Sequence, residues 1–239
     1  MTLSNRRLFA TLGLWMALAS FPSSPSTLFA QGPTSKTEEI EWTWEVRPAH
    51  PNPKLPNVLL FGDSITRAYF PEVQRQLTGI ANVYLMATSA SVGDPRLFHQ
   101  IEEFSAAEAA TFSVIHFNNG MHGWTYSEQE YQAAFPAFLA ELHAIAPKAA
   151  LVWASSTPVK TETQPGPTNP RVEARNAIAQ AAIQSARIVI DDQHALMARH
   201  PDLYQDGIHF NNQGSAIQGK QAAEIIREAL LRLQPQSNK

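Results

Sequence analysis

Five short apolar runs, each breaking into a turn of small or polar residues, limit what this chain can fold into. They are 57–61, 81–86, 112–117, 149–154 and 188–190. Each is too short for an ordinary helix, and together they are rich in Val, Leu, Ile and aromatic residues, so they read as buried strands. Between and after them lie stretches with helical spacing: 67–78, 97–109, 127–146 (with Pro136 as an irregularity), 171–185, a short piece near 192–199 and a terminal helix near 213–232. Strands that alternate with helix-length connections belong to a mostly parallel sheet, because only such a crossover returns the chain to the same end of the sheet. One α/β domain over 57–235 is therefore expected. The polar loops 62–66, 88–94 and 118–123 all follow strands, and would share the carboxyl edge where open parallel sheets form their sites.

Composition narrows the class. Hydrophobic residues make up 44% and charged residues 16%, enough apolar material for a substantial core. The net charge of -3 and the lack of a dense Lys/Arg run argue against a nucleic-acid partner. The absence of cysteine excludes disulfides, thiolate metal sites and cysteine nucleophiles. At the N-terminus, Arg6 and Arg7 precede an apolar stretch from Leu8 to Ala19 that is short for a membrane span. Residues 1–30 therefore read as a signal peptide and processing region, with cleavage after Ala19 or Ala30. That predicts an exported protein, periplasmic or extracellular, with no stable membrane insertion after cleavage. Residues 31–56 read as an N-terminal arm, in which 41–46 alternates like an edge strand. Its Trp42 and Trp44 suit either packing or sugar stacking.

The chemistry-bearing residues fall in the predicted edge loops and in one late turn. Ser64 sits at a strand-to-helix junction, where its hydroxyl could face a pocket and its N–H could meet an oxyanion. Equally, Ser64 or Asp63 could merely cap the helix. The segment Asp206-Gly207-Ile208-His209 places an acid three residues before a histidine. A turn of that length can set the carboxylate on one ring nitrogen and leave the other for a serine, which is what a weak hydroxyl nucleophile requires. Gly93 could offer a backbone N–H at close approach. In the third loop, Asn118, Asn119 and His122 are candidate donors, or else simply hold the loop together. Seven of the eight histidines (His99, His116, His122, His143, His194, His200 and His209) invite a metal reading, but no H-x-H or H-E-x-x-H pattern supports it. His116, within a strand, reads as a packed histidine. No metal or cofactor is expected.

Gly62-Asp63-Ser64-Ile65-Thr66 resembles the first block of the SGNH-type (GDSL-like) hydrolase superfamily, and Asp206-Gly207-Ile208-His209-Phe210 resembles its last. Ala90-Ser91-Val92-Gly93-Asp94 resembles the second, and Arg175-Asn176 is similar to a pair in bacterial members. The resemblance implies a flavodoxin-like three-layer α/β/α fold. It further implies an esterase with Ser64 as nucleophile, His209 as base and Asp206 as orienting acid, the amides of Ser64 and Gly93 forming most of the oxyanion hole. The third block departs from the family's Gly-x-Asn-Asp. One register places His122 at the Asn and Gly123 at the Asp, and another recruits Asn118 or Asn119, so the third donor stays open.

The function expected from these residues is hydrolysis of acetyl or other short acyl esters, with an acylated small molecule or a polysaccharide as substrate. The export signal and the aromatics Trp124 and Tyr126 favour a carbohydrate, although those aromatics equally suit packing. A broad short-chain or lipid esterase, and a catalytically inactive glycan-binding homologue, are the alternatives. Oligomeric state is not legible.

Overall fold

The computed structural model describes residues 34–186 and 188–234. The signal-peptide reading of 1–30 lies outside them. Among the described residues no helix is long and apolar enough to cross a membrane. The order is β1 (Thr43–Val46), β2 (Asn57–Gly62), α1 (Ser64–Gln76), β3 (Asn82–Thr88), α2 (Pro95–Glu108), β4 (Phe112–Phe117), α3 (Glu128–Ile145), β5 (Ala150–Ala154), α4 (Asn169–Ala186), β6 (Val189–Asp191), α5 (Gln193–Ala198), a 3-10 turn (Pro201–Leu203) and α6 (Asn212–Leu233).

The six strands form one sheet in the order β1-β3-β2-β4-β5-β6. β2 to β6 run parallel, and β1 adds antiparallel to the outer edge of β3, pairing Thr43 with Thr88. Without β1, the order is the doubly wound one in which the chain starts in the interior and winds both ways. Side-chain alternation along the strands divides the core. Leu59 and Phe61 of β2, Tyr84 and Met86 of β3, and Leu151 and Trp153 of β5 face α2, α3 and α4. Val58 and Leu60, Val83 and Leu85, and Val152 face α1 and α6. The result is three layers, α/β/α.

The helices begin where capping side chains dictate. Asp63 accepts the N–H of Ile65, so α1 starts at Ser64, three residues earlier than its apolar pattern suggests. Asp94 caps α2 with Pro95 in its first turn. Ser127 and Glu130 form a reciprocal capping box on α3. That helix runs through Pro136 without ending. His116 of β4 is fully buried, its Nε2 2.7 Å from Asp191 Oδ2 and its ring edge-on to Tyr69. It is a packed, hydrogen-bonded histidine.

Candidate active site

β2 and β4 are neighbours whose following connections diverge, and the site lies at their carboxyl ends. β2 delivers Asp63 and Ser64. Adjacent residues divide the two roles that the sequence left open: the buried Asp63 caps α1, which frees the Ser64 hydroxyl. Ser64 Oγ lies 2.8 Å from His209 Nε2. His209 Nδ1 lies 2.9 Å from Asp206 Oδ2. The Asp206-to-His209 turn is held tightly. Asp206 Oδ1 accepts the N–H groups of Ile208 and His209 at 2.8 and 2.7 Å, and Gln205 N–H donates to the His209 carbonyl. Tyr204 and Phe210 bridge across its base, with ring centroids 4.3 Å apart. Burial works against ionising Asp206, but the two backbone donors and the His209 ring prevail and hold its carboxyl down at about 2. An anionic Asp206 on Nδ1 leaves Nε2 to accept the serine proton, so the three residues can generate an alkoxide equivalent. The side chains of His209 and Asp206 are 37% and 50% exposed, so this line of groups sits on an open surface.

Ser64 is the first residue of α1, and its N–H has no intrahelical acceptor. Gly93 adopts φ +101, in the left-handed region, and a Cβ there would press on the Tyr126 ring at 3.3 Å. The third loop is fastened from several sides. Asn118 donates through Nδ2 to the Ala154 carbonyl at 2.7 Å and to Ser156 Oγ at 3.1 Å. Asn119 accepts the Val92 N–H at 2.7 Å and donates to the Ala90 carbonyl at 2.9 Å, which ties the second loop to the third. Both amides thus hold loops in place.

Arg175 of α4 is 1% exposed and donates to the carbonyls of Gly120, His122, Gly123 and Tyr126. Its guanidinium also lies 4.1 Å from the Trp124 ring centroid. One buried cation therefore shapes the whole 120–126 turn. Trp124 donates its Nε1–H to the Met121 carbonyl, and Tyr126 is buried, with its hydroxyl accepting the Lys36 N–H. These two aromatics are packing residues. Trp42 and Trp44 instead face Arg67 of α1, with ring centroids 5.3 and 5.1 Å from its guanidinium, and Trp44 is half exposed.

The arm reaches the third loop as well. Glu38 Oε2 lies 2.9 Å from His122 Nδ1, and Glu38 Oε1 accepts the Gly123 N–H at 2.7 Å. Among the described residues no group of three or more His, Asp or Glu side chains is placed to hold a metal ion.

No family model matches the chain, and no curated protein matches it significantly in sequence. Solved structures do match. A carbohydrate esterase family 3 structure from Talaromyces cellulolyticus aligns with a TM-score of 0.58 at 16% identity, over 75% of this chain and 100% of that one. A GDSL-like lipase from Bacteroides thetaiotaomicron gives 0.58 at 16%, over 76% and 93%. A member of the lipolytic G-D-S-L family from Veillonella parvula gives 0.56 at 17%, over 71% and 97%. The fold is that of the SGNH hydrolases. The segments 62–66 and 90–94 follow β2 and β3 at the sheet's carboxyl edge, and 206–210 brings His209 to Ser64 there. Sequence reasoning missed Glu38 and gave Arg175 no task. The acidic stretch Glu38-Glu39-Ile40-Glu41 was the sole trace of the first. The second had none beyond the Arg-Asn pair itself.

Proposed function

We propose that this chain is a serine-dependent carboxylic ester hydrolase, exported, that removes acetyl or other short acyl groups from carbohydrate. The observation that carries the reading is the continuous hydrogen-bonded line from Ser64 Oγ through His209 to Asp206. In this reading His209 takes the Ser64 proton as Oγ attacks the ester carbonyl. The amides of Ser64 and Gly93 receive the developing oxyanion. His209 then passes its proton to the departing alcohol, leaving an acyl-serine. Water, deprotonated by the same ring, attacks that ester, and collapse returns the acid and a free serine. Asp206 holds the ring's orientation and stabilises its cationic form without taking a proton.

The carbohydrate half of the proposal draws on the fold likeness to the family 3 carbohydrate esterase. The open setting of His209 and Asp206 suits a bulky polymer, and the half-exposed Trp44 offers a ring face for a sugar. Export draws on Arg6, Arg7 and the apolar run after them. A second reading, an ester with a longer acyl chain, draws on an open groove of about 640 Å³ that Gly93 shares with Pro95, Phe98, Tyr126 and Ala134.

The test is acetate or acyl release from acetylated xylan, acetylated pectin, a simple acetyl ester and a medium-chain ester, with Ser64→Ala alongside. Serine-dependent release from a polysaccharide, well above the simple ester, is the expected result. Preference for the medium-chain ester would favour the groove reading instead. Turnover undiminished in Ser64→Ala would rule out both.

A further inference from the structure

The third oxyanion donor is the part of the site that sequence left open, and the arm bears directly on it. Asn118 spends both amide hydrogens on the Ala154 carbonyl and Ser156 Oγ, and the buried Asn119 is tied through its amide to Ala90 and Val92 of the second loop. His122 is different. Its Nδ1 is taken by Glu38, whereas its Nε2 has no hydrogen-bond partner among the described residues and is not sealed from solvent. The ring is 19% exposed and stands edge-on to Trp42, 5.8 Å away. Its backbone is equally fixed: the His122 carbonyl accepts from Arg175 at 2.6 Å, and the next N–H, that of Gly123, is held by Glu38. Gly123 has φ +69, and a Cβ on it would run into Ser91 of the second loop, so the His122 turn lies against the loop that carries Gly93. The Asp63 charge, one residue before the nucleophile, is close enough to act on the ring.

We propose that Glu38, reaching in from the N-terminal arm, is a positioning residue that holds His122 so that its Nε2–H completes the oxyanion hole. The proposal rests on the ester-hydrolase reading of Ser64.

The chemistry follows from the choice of nitrogen. A neutral imidazole carries one N–H. With that hydrogen on Nδ1, facing Glu38, Nε2 would be a bare acceptor and would repel an oxyanion. Only the imidazolium donates from both nitrogens. The groups around the ring favour that form: the carboxyl groups of Glu38 and Glu41 from the arm and of Asp63 just past β2 all raise its value, with Arg175 of α4 the opposing cation behind the turn. Burial disfavours the charged ring, but the Glu38 hydrogen bond and the carboxylates outweigh it, so His122 stays protonated to higher pH than an ordinary histidine. The donor is then present below that raised value and is lost as pH climbs through it. Glu38 is itself anchored, its N–H donating to Glu41 Oε1 at 2.6 Å, while Glu41 also accepts from Ser89 and Arg96. The arm is therefore an integral wall of the site in this proposal.

The experiment compares the full chain with Glu38→Gln, His122→Asn and the double variant on a simple acetyl ester across pH. An asparagine amide at 122 donates without needing a charge or a carboxylate behind it. Glu38→Gln should lower kcat roughly 10- to 100-fold, less than the roughly 100- to 1,000-fold of outright loss of one oxyanion donor because His122 remains, and move the alkaline limb of kcat to lower pH. KM should stay within about twofold, because the donor acts on the transition state. His122→Asn should keep activity within about 10-fold of the parent and lose that alkaline limb, and adding Glu38→Gln to it should cost nothing further. An unchanged kcat and pH profile in Glu38→Gln would overturn the proposal, as would an equal loss in the His122→Asn background, which marks a purely structural role. Nitrogen NMR of the His122 ring in folded Ser64→Ala protein gives a readout that needs no turnover. Both ring nitrogens protonated at about pH 7 agree with the proposal, and a neutral ring with bare Nε2 contradicts it. That reading stands even if Ser64 proves not to be a nucleophile, so the two failures are distinguishable.

Discussion

Two histidines at this sheet edge are each held by a carboxylate, and they differ in where that carboxylate comes from. Asp206 lies three residues before His209, whereas Glu38 lies 84 residues before His122. The first pair is a single turn. Its geometry is closed locally by the backbone N–H groups of Ile208 and His209. The second pair exists only once β1 has added to β3, the arm has crossed to the third loop, and Arg175 has gathered the carbonyls of that loop. A local pair is written in the sequence as a motif. A remote pair is written in the fold.

Substitutions on the two sides should differ in size, and the largest effect belongs on the local side. Asp206→Asn leaves the turn a side-chain acceptor but removes the charge that holds the His209 ring. We expect kcat on a simple ester to fall by about 10³- to 10⁴-fold, the scale known for loss of the acid in a serine triad. The same substitution tests pH linkage. The Asp206 carboxyl is depressed below its ordinary value, so its contribution to stability is fully present above that value and is lost as pH falls to about 2. The gap in melting temperature between parent and Asp206→Asn should therefore narrow steadily over that acid range, and it should be modest because the side chain is half exposed. A gap that widens toward acid would contradict the sign.

On the remote side, Arg175→Met retains bulk but removes the donors to four carbonyls in the 120–126 turn. Carbonyls left without partners cost about 1–3 kcal/mol each when they stay buried, so a clear drop in melting temperature is expected. Activity should fall with the third loop, by less than in Asp206→Asn. Urea melts read alongside kcat check both halves, and a parental melt with parental kcat would mean that Arg175 does not organise the loop. The smallest effect concerns the half-exposed Trp44, which stacks on Arg67 of α1. Trp44→Ala should lower kcat/KM on an acetylated polysaccharide by roughly 3- to 10-fold, a stacking contribution of about 1 kcal/mol, and leave the simple ester untouched. Equal loss on both substrates would assign Trp44 to arm packing alone.

Much of the fold was legible because its signals are periodic and local. The run at 112–117 is β4 as read, and the other strands and helices shift by a residue or two at most ends. The largest shift, at the start of α1, arose because Asp63 caps a helix whose first residue is the candidate nucleophile. Propensity patterns see the apolar stripe of a helix and not its polar first turn. The alternating arm segment formed an edge strand over Thr43–Val46. The Ser64, His209 and Asp206 constellation was legible because two short blocks meet at one sheet edge. The third loop was not. Its asparagines could be read as donors or as ties and serve as ties between loops, and of its aromatics, open between sugar contact and packing, Trp124 packs on Arg171 and Arg175 while Tyr126 is buried. Those outcomes depend on which segments arrive from far along the chain, 27 residues for Val92 on Asn119, 36 for Ala154 on Asn118 and 53 for Arg175 on His122. Linear spacing carries no record of them.

On the proposed function, Ser64 is the nucleophile of an ester hydrolase. Intact-mass and peptide mass spectrometry after exposure to a fluorophosphonate test it most directly, because the reagent forms a stable adduct only with a serine that a neighbouring base activates. A single adduct on the peptide that holds Ser64, absent from Ser64→Ala and strongly slowed in Asp206→Asn, is the predicted result. No adduct on folded protein, or an adduct on another residue, would contradict it.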